Sequence, residues 1–288
     1  MNSWELPNRE RKPYEKLKDL MFLISEEING SVNDEYGIDF LVNKDGRINV
    51  EEFKGSGGYP REVFKKHRAK VDALELGWSG ARNESVKDFY KKEYNTEDER
   101  EIVRISLENK EKEKNGQMEM LASVLFHKFL KEDFIIVRTG KYDDYVNGID
   151  TVMVNRKTGD IVCAFDEVHD HEAGNRMEEK EKKIKKKARE GGSTLFYGIT
   201  VENGSLVRKK IDHLPVFFLG LSTQELENTL SNMGYGMEIS ETEKKTFKEL
   251  LSSLEDQRKT LLSEDVPHEV RKNLENFEDS LSKMKEKI

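Results

Sequence analysis

At 288 residues and 35% hydrophobic content, the chain is long enough for one large or two modest domains and apolar enough to bury a core. Its formal net charge of −8, from 49 basic and 57 acidic residues, excludes a generally cationic surface, so any contact with nucleic acid must come from a local patch. A single cysteine, Cys163, excludes a disulfide framework; the longest apolar stretch, 216–221, is too short for a bilayer, and no N-terminal run resembles a signal peptide, so the expectation is a soluble, cytoplasmic protein without a membrane partner.

The first residues are polar. Leu17, Leu20, Met21, Leu23 and Ile24 then form a helical stripe within 14–28, which Asn29-Gly30 is expected to end. A hairpin is predicted next, with arms 38–42 and 48–53 around the turn Asn43-Lys-Asp-Gly46. It carries Asp39, Glu51, Glu52 and Lys54. Residues 55–58 read as a glycine linker, because the run lacks the Gly-Lys-Ser/Thr ending of a phosphate loop. A helix over 60–76 and one or two solvated helices over 79–114 complete an N-terminal module, 1–110.

From 115 to 127 the only formal charge is Glu119, among Met118, Met120, Leu121, Val124, Leu125 and Phe126. Such a helix must be buried almost all round, and its acid is either held by a basic or backbone group or aimed at a site. A strand over 134–138 follows, then the most informative stretch of the chain. Residues 149–154 and 161–168 are β-branched and aromatic and flank the turn Asn155-Arg-Lys-Thr-Gly159, an antiparallel hairpin. Asp150 opens its first arm, and Asp166 and Glu167 close the second beyond an apolar run too continuous for one face to be wet. Buried carboxylates at one end of a hairpin are costly unless compensated, and a hard divalent cation is one compensation. Alternation along the second arm sends Glu167 and His169 the same way.

Residues 172–190 are predicted helical, with a narrow apolar line of Met177, Ile184 and Ala188 beside Lys180. Lys182, Lys183, Lys185, Lys186, Lys187 and Arg189 give it a positive face. Such a run is ordinarily a solvated helix face, and its functional reading is a nucleic-acid backbone contact through Lys182, Lys183, Lys186, Lys187 and Arg189. Strands are expected over 194–201, 206–210 and 215–221, and a helix from Ser222 or Thr223 to Met233. The core domain is therefore 111–235. In the last segment, 236–288, two helices with apolar stripes (Phe247, Leu250, Leu254, Leu261; Val270, Leu274, Phe277, Leu281, Met284) make a helical hairpin that packs on its mate, on the core, or on another subunit or protein partner.

This order of elements, with Glu119, Asp150 and Glu167 in place, resembles the PD-(D/E)XK, or restriction-endonuclease-like, nuclease superfamily over roughly a hundred residues. The resemblance implies an α/β (α+β) fold with a mixed central sheet flanked by helices. It further implies a nuclease hydrolysing phosphodiester bonds in DNA or RNA, with magnesium or manganese held by Asp150, Glu167 and the Val168 carbonyl. Glu119 stands for the acid of the family's first helix. The chain departs from the pattern at the motif lysine, where His169 stands two residues after Glu167; Lys180 is the candidate replacement, and His169 could itself act as a base. Asp39 with Glu52-Phe-Lys54 matches the spacing more literally and repeats the Gly-Ile-Asp of 148–150, so it is a second candidate site. A non-catalytic binding or assembly protein on the same fold is the alternative reading.

Overall fold

The computed structural model describes residues 12–53, 59–170 and 176–288. Its first helix, α1 (Pro13–Tyr36), runs past the expected stop at Asn29-Gly30. The apolar stripe continues through Ile28 and Val32, and the Asn29 amide clamps a neighbouring segment instead of capping its own helix. Its Nδ2 donates to the Val42 carbonyl at 2.9 Å and its Oδ1 accepts the Val42 N–H at 3.0 Å. Gly37, in the left-handed region at φ 65°, closes the helix, a conformation that costs glycine little.

Of the hairpin expected over 38–53, only the part next to the turn forms. Its turn is present, but only Val42 and Ile48 bridge, and Val50–Phe53 is a short 3-10 turn. Across the arms the Asn43 N–H donates to the Arg47 carbonyl and the Asn49 N–H to the Leu41 carbonyl, both at 2.9 Å, while outward groups bond elsewhere: Asn29 holds Val42, the Ile48 N–H donates to the Arg138 carbonyl and the Arg138 N–H to the Gly46 carbonyl. The segment thus lies along the outer edge of the main sheet.

Helices α2 (Arg61–Ser79), α3 (Glu84–Tyr94) and α4 (Glu99–Lys112) surround a small cluster of Ala81, Tyr90, Ile102 and Ile105, while Phe64 of α2 joins the main core. Helix α5 (Lys114–Leu130) is buried along most of its length, so it behaves as the apolar run required. It packs on a four-stranded sheet of order β1 (Phe134–Arg138), β2 (Thr151–Asn155), β3 (Ile161–Asp170), β6 (Val216–Ser222). The first three strands are antiparallel neighbours and β6 runs parallel to β3, so the sheet is mixed. Between β3 and β6 the chain makes α6 (Arg176–Arg189) and a separate two-stranded sheet, β4 (Ser193–Glu202) with β5 (Ser205–Leu214). The ends of β1, β3 and β6 and the start of β2 consequently meet at one end of the sheet.

The inward stripes of α8 (Glu241–Ser263) and α9 (His268–Lys285), which follow α7 (Thr223–Ser231), bury into the same core as α1, α5 and the sheet. Phe247 stacks on Phe129 at 4.2 Å and Phe277 on Phe217 at 4.6 Å. Each such ring contributes roughly 1.5–3 kcal/mol by leaving water. At the other edge of the sheet, Gln257 of α8 acts as a surrogate strand: its Oε1 accepts the Phe218 N–H at 2.9 Å and its Nε2 donates to the Phe218 carbonyl at 2.8 Å. Cys163 is buried within β3 as a small apolar residue. Among the described residues, no helix is long and apolar enough to cross a membrane.

Candidate functional site

The chain enters the functional end of the sheet through a single π-helical turn, Asp143–Asn147. Asp143 is fully buried and anchors this turn to β4, its two carboxyl oxygens accepting the Phe196 N–H at 2.6 Å and the Tyr197 N–H at 2.8 Å. Gly148 ends the turn at φ 61°, with the Lys187 and Lys183 ammonium groups 3.2 and 3.4 Å from where a Cβ would stand. The next residue but one is Asp150. Its backbone continues the sheet, the N–H donating to the Phe165 carbonyl and the carbonyl accepting the Thr139 N–H.

The Asp150 carboxylate accepts the backbone N–H of Glu167 at 2.9 Å, which places the two acids side by side in the interior. Among the described residues neither carboxyl oxygen of Glu167 has a hydrogen-bond partner. Burial, reinforced by the charge of Glu119, pushes the Glu167 carboxyl up to about 7, with the neighbouring Thr151 and Asp150 side chains opposing that rise. Asp150 is raised well above the usual carboxylate range by burial first and then by Asp144, Glu167, Glu119 and Asp166. An unpartnered buried carboxyl is an expensive feature to keep, and such pairs of mutually perturbed acids gather at functional sites.

Glu119 is both held and presented. From α5 it accepts a hydrogen bond from Arg138 Nη2 at 2.6 Å and lies 3.7 Å from Arg47 Nη2, while its side chain still reaches the cleft. Burial raises its pKa, against the pull of Arg138. Arg47 also pairs with Asp144 at 2.8 Å and donates to the Thr139 carbonyl at 3.2 Å.

Because alternate residues of β3 face opposite sides of the sheet, Asp166 meets α6 while Glu167 lies on the side of α5. Lys180 pairs directly with Asp166, and Lys183 stands 3.8 Å from its other oxygen. Lys187, one turn further on, donates to the Asn147 carbonyl at 2.6 Å; burial, then Lys183, lowers its pKa. Together with Trp78, Asn115 and Tyr145, these groups line a cleft of about 650 Å³. Glu119, Asp150, Glu167, Val168 and Lys180, all singled out in the sequence, meet in it.

Other expected residues lie elsewhere. His169 is buried and shares Glu167's side of the strand, but its Nε2 meets the Thr223 hydroxyl at 2.9 Å at the start of α7, away from the cleft lining. Of the basic residues on α6, Lys183 and Lys187 line the cleft, Lys182 and Lys186 are exposed outside its lining, and Arg189 pairs with Glu264 at the α8–α9 connection. Asp39 and Glu52 are exposed, the former accepting from Asn33 at 2.7 Å; Lys54 lies outside the described residues. Sequence reasoning missed Arg47, Asp144 and Trp78 altogether, and it mentioned Asp166 without assigning it a partner.

No family model, curated protein or solved structure matches this chain. The cleft is therefore read from its own geometry. Among the described residues, no three His, Cys, Asp or Glu side chains are gathered closely enough to hold a metal ion. The donor set available is a carboxylate pair, Asp150 and Glu167, with the Val168 backbone beside it and lysines on the adjacent wall.

Proposed function

We propose that this cleft binds nucleic acid and hydrolyses its phosphodiester bonds with a divalent metal, magnesium or manganese. The observation that carries the reading is Glu167: a buried carboxyl with both oxygens unpartnered, next to Asp150 and facing a lysine-lined cleft. The element order supports it too: a helix, three strands, a helix and further strands, with β1, β2, β3 and β6 in a mixed sheet, is the order the resemblance to the PD-(D/E)XK superfamily implies. Two carboxylates fit a magnesium-type ion, which takes one or two protein carboxylates and completes its octahedron with water and substrate oxygens. Asp150 and Glu167 would hold it, and it would supply Lewis acidity toward the phosphodiester.

The chain's own groups do the rest. Lys183 and Lys187 hold the backbone charge of the substrate, and Lys180 stabilises charge building on the attacked phosphoryl oxygens. Asp166 keeps Lys180 oriented toward the cleft. Glu119, fixed by Arg138 and Arg47, contributes negative charge near the carboxylate pair.

The test is cleavage of single- and double-stranded DNA and RNA with magnesium or manganese, by the parent protein and by Glu167→Ala and Asp150→Ala. Cleavage by the parent alone is expected. Absence of cleavage by the parent, or equal cleavage by all three proteins, overturns the hydrolytic reading. A second reading, nucleic-acid binding without hydrolysis, draws on the position of His169, whose ring stands in place of the motif lysine and meets Thr223 instead of the cleft. Retained oligonucleotide binding without cleavage would select it.

A further inference from the structure

Trp78 stands at the end of α2, on the rim of the same cleft, with 46% of its surface exposed. The ring of Tyr145 meets it nearly perpendicularly, 4.7 Å between centroids at 76°, and the Lys110 ammonium lies 4.9 Å over the indole. Tyr145 is in turn fixed by its hydroxyl, which donates to Glu75 at 3.1 Å, so the indole stands against a held partner. Lys110 is exposed at the end of α4, so its flexible side chain can leave the indole face and turn to a phosphate. The cleft thus joins a rigid aromatic surface at its rim to a lysine row (Lys180, Lys183, Lys187) along its α6 wall.

Those two features recognise different parts of one ligand. Lysines at successive turns of a helix track a phosphate backbone without reading sequence, and an indole stacks on the face of any base. In a duplex the base faces are covered by their neighbours, whereas a single strand offers them freely. We infer that the cleft takes single-stranded nucleic acid, with one base stacked on Trp78 and the adjoining phosphates on Lys180, Lys183 and Lys187. This rests on the reading of the cleft as a nucleic-acid site, and it names the form of the substrate.

The experiment measures binding of short fluorescent oligonucleotides to the full chain in EDTA, so that neither metal nor turnover is needed. Four probes are compared: single-stranded DNA, single-stranded RNA and the duplex of each. The two single strands separate a sugar preference from the shared chemistry. Single strands are expected to bind at least tenfold more tightly than duplexes. Trp78→Ala should weaken single-strand binding roughly tenfold, within the range one stacked base contributes, while Trp78→Phe recovers part of it. In a Trp4→Phe background, where Trp78 is the remaining tryptophan, the single strand should quench indole fluorescence and the duplex should not. Circular dichroism of Trp78→Ala checks that the half-exposed site tolerates truncation. Equal affinity for single strands and duplexes, unchanged binding by folded Trp78→Ala, absence of quenching, or no binding of any probe overturns the inference. Tight Trp78-dependent binding of single strands with no cleavage under any metal would sink the hydrolytic reading and leave this one standing. Cleavage of duplex DNA or RNA that is indifferent to Trp78 would do the reverse.

Discussion

The carboxylate of Asp150 accepts the backbone N–H of Glu167 at 2.9 Å, so the two acids of the site are joined through the side chain of one and the main chain of the other. That bond locks the start of β2 to β3 at the point where the cleft opens. It gives Asp150 a structural task that is separable from any chemistry. Asp150→Ala leaves a buried N–H without its acceptor and should cost about 1–3 kcal/mol in urea denaturation, whereas Asp150→Asn keeps an acceptor oxygen and should cost less. Equal losses in the two variants would show that the bond contributes little.

Glu167 should make the folded chain sensitive to pH. Its carboxyl titrates near 7 when folded against an ordinary value of 4.5, so the folded state holds the proton more tightly than the unfolded state. Stability contributed in this way is fully present below the ordinary value and is lost as pH rises from about 4.5 to about 7. The loss amounts to about 3 kcal/mol. Glu167→Gln carries no such charge. In EDTA, its stability relative to the parent should climb across that window and then level off. The absolute offset depends on how the amide is accommodated, but the slope does not, and a flat difference between pH 4 and pH 8 would contradict the assignment.

Two lysines on the same helix should behave differently. Lys183 lines the cleft, whereas Lys182 is exposed outside its lining. Replacing Lys183 by alanine should reduce the salt dependence of oligonucleotide binding by about one unit of log–log slope, while Lys182→Ala leaves it unchanged. Fluorescence anisotropy over a range of potassium chloride concentrations decides it. Equal slopes for the two variants would mean that the helix acts as a diffuse positive surface.

Asp143 gives a further test, of the scaffold. Its carboxyl accepts two backbone N–H groups of β4 and the Asn147 amide from a fully buried position. Asp143→Ala removes these acceptors together and should destabilise the chain by about 2–4 kcal/mol. Because the π-helical turn leads directly into Asp150, the same variant should lower oligonucleotide binding even where circular dichroism shows it folded.

The parts of the site legible in the sequence were those with local pattern. The hairpin of 149–168, the buried helix bearing Glu119 and the helix bearing Lys180 each follow from periodicity within a short window, and the cleft contains them. Arg47, Trp78 and Asp144 arrive from separate segments, and a π-helical turn has no periodic signature, so nothing near them in the chain announces their meeting. The run of lysines looked like one face, yet helical geometry sends 180, 183 and 187 to the cleft and 182 and 186 elsewhere. For His169 the two-residue alternation correctly gave the side of the strand; one step further along β3, that side lies beneath the start of α7. Of the hairpin expected over 38–53, the turn and one bridge form, and the second arm then winds into the short 3-10 turn Val50–Phe53.

At each rim of the main sheet one residue has its outward backbone groups already bonded, Arg138 of β1 by the segment 46–48 and Phe218 of β6 by the Gln257 amide. A strand from another molecule would have to displace one of these contacts before it could pair along the full length of either edge. Gln257→Ala reopens the second rim at a single residue, Phe218, while leaving the cleft at the sheet's end untouched. A carboxamide on a C-terminal helix thereby occupies the edge of a sheet to which it contributes no strand.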